Sequence, residues 1–280
     1  MWKRSDENKY VNLAGDYFHV RCMGEGDSII FLHGGPGSDH HIFLPHVLPL
    51  AQDFKLILYD QRGCGKSEQA PKDVYSMMDE VNNLELLRKE LRLEKINLFG
   101  ESWGSMLALL YAVTYPKHVN KILLTAAIGV SKDGFIAFGK ELEKRLSKED
   151  KETLSRLEQS LTINDKVIRE ILNVLDPYYV FSKKALRHKK HTSMNQEVNT
   201  CIGNDILKNY DLTEKLYLLS NIPILVAQGS HDLLTPSLID ELLISHIPHA
   251  QLIEIKNCGH WTVVEKPNEM VSIAHQFFSS

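Results

Sequence analysis

The chain has 280 residues, 43% of them hydrophobic and 24% charged, a composition typical of a soluble globular protein with one large domain or a domain with an insertion. Its formal net charge of −4 does not indicate a nucleic-acid partner, and no stretch approaches the roughly 18 apolar residues that span a membrane. The polar N-terminus, Met1–Asn8, is not typical of a secretory signal, and the four cysteines are widely spaced. We therefore expect free thiols, a cytoplasmic protein, no cofactor and, since no histidines have ligand spacing, no metal.

The first third of the chain predicts strands followed by a helix. Two short runs, Tyr10–Leu13 and Tyr17–Cys22, flank a Gly-Asp turn and predict an antiparallel hairpin. Further strands are predicted at Ser28–Leu32 and Phe54–Tyr59, each followed by a glycine-rich loop. Asp79–Leu93 has helical periodicity, with its apolar residues on one face.

The pentapeptide Gly100-Glu101-Ser102-Trp103-Gly104 lies between a predicted strand, Ile96–Phe99, and a predicted helix at 105–113. A serine on a sharp strand-to-helix turn needs small residues two positions away on either side, because the two backbones pass close together. This context predicts a nucleophile elbow, with the serine hydroxyl held clear of the sheet. Another strand is predicted at Lys121–Ala126.

From about residue 129 to residue 219 the pattern changes to charged amphipathic segments without a buried strand. We interpret residues 129–219 as a helical cap inserted into an α/β core formed by residues 1–128 and 220–280. The segments in question are Phe138–Leu146, Lys151–Leu161 and Asp165–Leu175.

Strands and helices then alternate again to the end of the chain. This alternation predicts a mostly parallel sheet that is covered on both faces by helices. The predicted elements are a strand at Ile224–Gln228, a helix at Ser237–Ser245, a strand at Gln251–Ile255 and a helix at Pro267–Phe278.

Asp232 and His260 follow the last two predicted strands, and ligands bind open parallel sheets at the carboxyl ends of the strands. Serine, aspartate and histidine in this chain order are typical of a catalytic triad on such a sheet. His260 would accept the proton of Ser102 and return it to the leaving group, while Asp232 would orient the imidazole. Asp205 and Asp211 are competing acids, but neither follows a strand.

The segment His33-Gly34-Gly35-Pro36-Gly37, which we call the glycine loop, follows the strand Ser28–Leu32. Acyl transfer requires backbone N–H donors placed to stabilise a negative oxygen, and a glycine-rich loop supplies one. We expect the backbone N–H groups of Gly35 and Trp103 to form this oxyanion hole. Gly65-Lys66-Ser67 resembles the end of a phosphate-binding loop, but Asp60 occupies the position of its first glycine, so we assign Asp60–Ser67 a structural role instead.

Together these segments resemble the α/β-hydrolase fold and, within it, the proline iminopeptidase (prolyl aminopeptidase) family of serine peptidases. The resemblance covers roughly residues 10–128 and 220–280. It implies a metal-free serine hydrolase with a helical cap that removes an N-terminal residue, often proline, from short peptides. It is based on the glycine loop, Asp60–Ser67, Gly100–Ser105, Asp232 before Pro236, and Gly259-His260.

The resemblance also implies glutamates that bind the substrate's α-amino group. Some members have one directly after the catalytic aspartate, where this chain has Leu233. Glu197 resembles the cap anchor of other members, so it is the candidate substrate-binding residue. The alternative interpretation is that Glu197 is an exposed residue of a helix. An esterase, lactonase or amidase acting on a small apolar acyl compound therefore stays open. A non-catalytic binding protein would usually lack part of the triad, which this chain retains.

Overall fold

One eight-stranded sheet organises the part of the chain that the computed structural model describes, residues 6–159 and 165–280. Its spatial order is β1-β2-β4-β3-β5-β6-β7-β8; β2 pairs antiparallel with β1 and β4, and all other neighbours are parallel. The predicted mostly parallel sheet and the N-terminal hairpin are confirmed. The strands are β1 (Asp6–Leu13), β2 (Asp16–Met23), β3 (Asp27–Leu32), β4 (Phe54–Tyr59), β5 (Ile96–Glu101), β6 (Val119–Thr125), β7 (Ile224–Gly229) and β8 (Gln251–Ile255).

The helices lie on both sides of the sheet and in the segment between β6 and β7. The predicted helices are present with shifted ends; α3, for example, begins earlier than predicted because the Ser131 side chain caps it by accepting from the Asp133 N–H. The last two residues of the predicted segment Lys151–Leu161, like the first five of the chain, lie outside the described residues. The helices are α1 (Met77–Glu90), α2 (Trp103–Thr114), α3 (Lys132–Arg145), α4 (Lys148–Glu158), α5 (Asp165–Leu175), α6 (Gln196–Asn209), α7 (Pro236–Leu242), α8 (Thr262–Glu265) and α9 (Pro267–Ser279).

The central strands are buried on both faces, which explains their continuous apolar sequences. Alternate residues of β3 show this: Ile30 and Leu32 pack against α1 and α2, whereas Ile29 and Phe31 pack on the other face, where α8 and α9 lie. The sheet is therefore a rigid support, and the loops at its carboxyl edge are fixed from both sides.

The segment between β6 and β7 forms no strand in its described residues, 126–159 and 165–223, and we call the described part of residues 129–219 the insertion. It reaches the loops after β7 and β8: the Arg145 guanidinium donates to the carbonyl oxygens of His231 and Asp232. Glu265, in turn, accepts from the backbone N–H groups of Phe181 and Ser182. Within the described residues no helix has the length and apolarity needed to cross a bilayer.

Candidate active site

Ser102 lies on the turn between β5 and α2, at the carboxyl edge of the sheet. Its φ of 54° and ψ of −117° are strained for a residue with a Cβ, and such strain persists only where the surrounding backbone fixes it. A Cβ added to Gly100 would collide with the backbone of Gly104, and one added to Gly104 would collide with the carbonyl of Leu32. The predicted need for small residues on both sides of the serine is confirmed.

Three side chains from three separate loops form one chain of hydrogen bonds. Ser102 Oγ lies 2.9 Å from His260 Nε2, and His260 Nδ1 lies 2.9 Å from Asp232 Oδ1 and 3.0 Å from Oδ2. Because Asp232 follows β7 and His260 follows β8, both lie at the same sheet edge as Ser102. The competing acids lie elsewhere, Asp205 within α6 and Asp211 in the turn after it.

The environment of Asp232 determines which nitrogen of His260 carries a proton. Asp232 is fully buried, and it accepts at Oδ2 from Gln228 Nε2 at 2.8 Å and at Oδ1 from the Leu234 N–H at 3.3 Å. Burial lowers the pKa of His260, but the Asp232 carboxylate outweighs this effect, and the resulting pKa is raised above the ordinary value. The Nδ1–H of His260 therefore donates to Asp232, and Nε2 is left to accept from the Ser102 hydroxyl.

Aromatic residues of the insertion cover the imidazole of His260. The ring centroids of Phe138 and Tyr179 lie 4.9 Å and 5.6 Å from that of His260, and the Tyr179 carbonyl accepts from the His260 N–H at 2.7 Å. His260 is consequently 3% exposed. These contacts fix the ring and exclude water from it.

The two predicted oxyanion residues both line the same cavity as Ser102. Trp103 is the first residue of α2, so its backbone N–H has no acceptor within the helix. Gly35 has a φ of 52°, a conformation that is inexpensive for glycine alone. Both residues thus belong to the backbone that lines the cavity around Ser102.

Gln61 and His33, to which the sequence analysis assigned no individual role, hold these loops together. Trp103 Nε1 donates to Gln61 Oε1 at 2.8 Å, and Gln61 donates from its backbone N–H to His33 Nε2 and from its Nε2 to His33 O, both at 3.2 Å. Burial lowers the pKa of His33, so its neutral ring can accept this bond. The glycine loop and the loop after β4 therefore position α2 and the elbow jointly.

A cavity of about 370 Å³ opens above Ser102 and His260, within the range of small-ligand sites. Its walls are mainly apolar and aromatic, and much of the covering surface comes from the insertion. Residues of α3 and α5 in these walls are Phe135, Phe138, Ile168, Ile171, Leu172 and Leu175.

Charged residues are few in this cavity, and two of them pair with each other. Lys189 Nζ donates to both oxygens of Asp176, at 2.7 Å and 2.8 Å, and lies 4.3 Å from the ring centroid of Trp261. Glu101 also lines the cavity, directly before the serine, and burial raises its pKa to about 7. Sequence reasoning missed Glu101 because the elbow motif leaves its second position open, although a carboxylate in a buried apolar strand was a usable signal.

Glu197 does not occupy the position that the sequence analysis assigned to it. Its Oε1 lies 2.8 Å from Lys72 Nζ, its side chain is 37% exposed, and it is absent from the cavity lining among the described residues. The Asn195 side chain caps α6 by accepting from the N–H groups of Glu197 and Val198, and this fixes the first turn of the helix. The expected amine-binding role of Glu197 is therefore wrong on geometric grounds.

His19, His40 and Asp60 are the group in the described part of the chain whose ligand atoms, all within 4.8 Å of one another, suit a metal. Asp60 already accepts from His40 Nδ1 at 2.6 Å and from the backbone N–H groups of His40 and Lys66 at 3.1 Å and 3.0 Å. A nitrogen that donates its proton to the carboxylate is not also a metal ligand. The hydrogen bonds between Asp60 and His40, with His19 Nδ1 3.3 Å from Asp60 Oδ2, support the structural role predicted for Asp60–Ser67.

Comparisons with known proteins agree with the fold. A family model described as alpha/beta hydrolase fold matches residues 27–267. The proline iminopeptidase of Lactobacillus crispatus is 32% identical over 93% of each chain, and that of Lactobacillus acidophilus is 30% identical over 94% of each. A solved alpha/beta fold family hydrolase from Bacillus anthracis superposes with a TM-score of 0.81 at 20% identity, covering 97% of this chain and 99% of that one. The proline iminopeptidase structure from Mycobacterium smegmatis gives a TM-score of 0.72 at 23% identity over 98% of each chain, and at these identities both structures show the fold.

Proposed function

The chain belongs to the alpha/beta hydrolase fold family and is a hydrolase of the serine peptidase type related to the proline iminopeptidases. From this premise we propose that it releases an N-terminal residue, proline in particular, from short peptides. The observation that carries the proposal is the unbroken hydrogen-bonded chain from Ser102 through His260 to Asp232 beside an apolar cavity. The curated relatives that carry this name span nearly the whole chain.

The proposed reaction proceeds through an acyl-enzyme. His260 Nε2 takes the Ser102 proton as Oγ attacks the acyl carbon, and Asp232 stabilises the imidazolium that forms. The backbone N–H groups of Gly35 and Trp103 stabilise the negative oxygen. His260 then protonates the leaving amine, and a water molecule, activated by the same imidazole, releases the N-terminal residue.

Residues 129–219 act in this proposal as the cap that selects the substrate. Their described part supplies the aromatic rings against His260 and the apolar walls of α3 and α5. The three ring methylenes of an N-terminal proline suit such walls, because their burial removes apolar surface from water.

A specific observation favours a second candidate, an esterase, lactonase or amidase for a small apolar acyl group. The amine-binding glutamates that the family resemblance implies are not in place, since Leu233 follows Asp232 and Glu197 pairs with Lys72 outside the cavity. The two candidates share the triad chemistry and differ in whether the substrate must carry a free α-amine.

Purified protein assayed with proline and alanine arylamides beside short acyl esters separates the two. The proposal predicts arylamide turnover that Ser102→Ala reduces to the residual rate of the oxyanion hole and binding alone. Ester cleavage without arylamide turnover at any pH from about 6 to about 9 would refute the aminopeptidase and leave the esterase. Unchanged turnover by the serine variant would refute the mechanism for both.

A further inference from the structure

We propose that Glu101 binds the α-ammonium group of the substrate, next to the carbonyl that Ser102 attacks. The inference rests on the proposed function, because only a substrate with a free N-terminal amine needs such a group. Glu101 is 2% exposed, and it lines the same cavity as Ser102 and His260. It would therefore supply the anionic anchor that neither Leu233 nor Glu197 provides.

Covalent geometry sets how far such an anchor can lie from the reacting carbonyl. The α-nitrogen is two bonds from the acyl carbon, ~2.5 Å away, and a charge-assisted hydrogen bond adds ~2.8 Å. The carboxylate must thus lie within ~5–6 Å of the acyl carbon. Two observations support this placement for Glu101: it directly precedes Ser102, and its carboxylate fills the space that a Cβ on Gly34 would occupy, next to the predicted oxyanion residue Gly35.

The other carboxylates near the cavity already have cationic or donor partners. Both oxygens of Asp176 bond to Lys189 Nζ, Asp232 is held by the imidazole, and Glu197 lies outside the cavity. Among the ion pairs formed within residues 6–159 and 165–280, by contrast, none involves Glu101. Glu101 is consequently the acid that can bind a substrate cation without first breaking an existing pair.

The groups that face Glu101 compensate its negative charge only in part. They are the imidazole of His260, the carboxylate of Asp232, the ammonium of Lys189 and the backbone N–H of Gly34. Burial outweighs the favourable members of this set and raises the pKa of Glu101 to about 7, so these groups do not fully compensate the ionised form. A substrate ammonium would supply the missing charge.

The position of Glu101 beside the glycine loop also affects the transition state. An ionised Glu101 beside the glycine loop opposes the negative oxygen that forms there, since like charges repel strongly in a low-dielectric site. A bound ammonium cancels that opposition. Substrates with an α-amine therefore gain both in binding and in stabilisation of the oxyanion, whereas neutral acyl compounds gain neither.

A matched pair of substrates tests the inference: the benzyl ester of L-proline and that of cyclopentanecarboxylic acid, which has the same ring without nitrogen. Release of benzyl alcohol is measured for the wild type, Glu101→Gln and the surface control Glu197→Gln. Glutamine retains an acceptor for the Gly34 N–H and removes the charge. We expect Glu101→Gln to lower kcat/KM for the proline ester about 100-fold or more, to change that for the carbocyclic ester by less than about threefold, and the control to leave both unchanged.

The outcomes distinguish this inference from the proposed function. A wild type that prefers the proline ester, with a preference that survives Glu101→Gln, overturns the role of Glu101 and leaves the aminopeptidase intact. A wild type without preference for the amine overturns the aminopeptidase and this inference with it. Equal losses on both esters likewise overturn the inference, because they would show that Glu101 affects catalysis whether or not the substrate has an amine.

A measurement on the wild type alone avoids any effect of a substitution on folding. L-prolinol and cyclopentylmethanol are compared as inhibitors of the carbocyclic ester reaction from about pH 5.5 to about pH 8. Binding by ionised Glu101 predicts that prolinol inhibits at least about tenfold more strongly at the upper end, and that this advantage disappears below the Glu101 pKa of about 7. Equal inhibition, or an advantage independent of pH, would overturn the inference.

Discussion

Replacing Asp232 with asparagine keeps the shape of the side chain and tests how the structure controls the tautomer of His260. The orientation of the new side-chain amide is constrained, because Gln228 Nε2 donates a hydrogen bond to the Oδ2 position at 2.8 Å. That bond is shorter than the 3.3 Å bond from the Leu234 N–H to the Oδ1 position, so the amide oxygen is held toward Gln228 and the NH₂ faces His260 Nδ1 at the Oδ1 position, 2.9 Å away. The imidazole then accepts at Nδ1 and carries its proton on Nε2, where it cannot accept the Ser102 proton.

The expected loss has two parts. Turning the amide around would bring two NH₂ donors together in place of a hydrogen bond, at a cost of about 1–3 kcal/mol, which is a factor of about 5–150 in the population of the active orientation. The missing negative charge beside the imidazolium accounts for the rest, to a total fall in kcat of about 10⁴-fold, or about 5.4 kcal/mol.

The assay is steady-state turnover of a short acyl ester and a proline arylamide by Asp232→Asn, with and without Gln228→Met. Methionine has a similar volume and donates no hydrogen bond, so it releases the amide, and the Leu234 N–H then favours the amide oxygen at the Oδ1 position. The double variant should recover about 5- to 150-fold over Asp232→Asn, with thermal unfolding to confirm that it is folded. A single variant within about tenfold of the wild type, or a double variant without recovery, would refute this reasoning.

Further predictions concern pH and backbone approach. Catalysis needs neutral His260, whose pKa is raised by the Asp232 carboxylate, so the acid limb of kcat/KM for the carbocyclic ester should have a slope of one, followed by a fall at higher pH as Glu101 ionises beside the oxyanion. The proline ester needs both neutral His260 and ionised Glu101, whose pKa is about 7, so its acid limb should approach a slope of two, and a slope of one for both esters would contradict this. Gly104→Ala, whose methyl group would collide with the Leu32 carbonyl, should lower the free energy of unfolding in urea by about 3 kcal/mol or more. In contrast, Gly139→Ala should raise the free energy of unfolding by about 0.5–1 kcal/mol, because Gly139 is inside α3 and nothing lies within 4 Å of the added Cβ. A Gly104→Ala variant more stable than Gly139→Ala would contradict this account of the packing.

The fold and the hydrogen-bonded Ser102–His260–Asp232 geometry could be predicted because each depends on local patterns with a fixed physical meaning. Buried strands have continuous apolar sequences, and the carboxyl ends of parallel strands meet at one edge. Once β5, β7 and β8 were recognised, the residues that follow them had to lie close together.

Features of the insertion could not be predicted in the same way. Whether Glu197 faces the cavity depends on the rotation of α6, which is set by the Asn195 cap and by burial of Val198 and Ile202, and those tertiary contacts leave no local pattern near Ser102. The ion pair of Asp176 with Lys189 likewise joins residues whose meeting depends on how the insertion packs. The composition of the cavity wall therefore had to be read from the structure.

Glu101 is an intermediate case. Its position in the chain was known with the elbow, but the motif assigns meaning only to the serine and the glycines. That its carboxylate reaches the space beside Gly34, and has no ion-pair partner in the described residues, follows from the close approach of the glycine loop to the elbow.

The central claim is that Ser102 forms an acyl-enzyme with an N-terminal residue, and it is tested most directly by trapping that intermediate. The protein is mixed with the benzyl ester of L-proline, quenched in acid within the first turnovers, digested, and analysed by mass spectrometry. The account predicts a mass increase of one prolyl group on the peptide that contains Ser102, and none on that peptide in Ser102→Ala. A prolyl group on another residue, or ester turnover with no acylated Ser102 at any quench time, would contradict it.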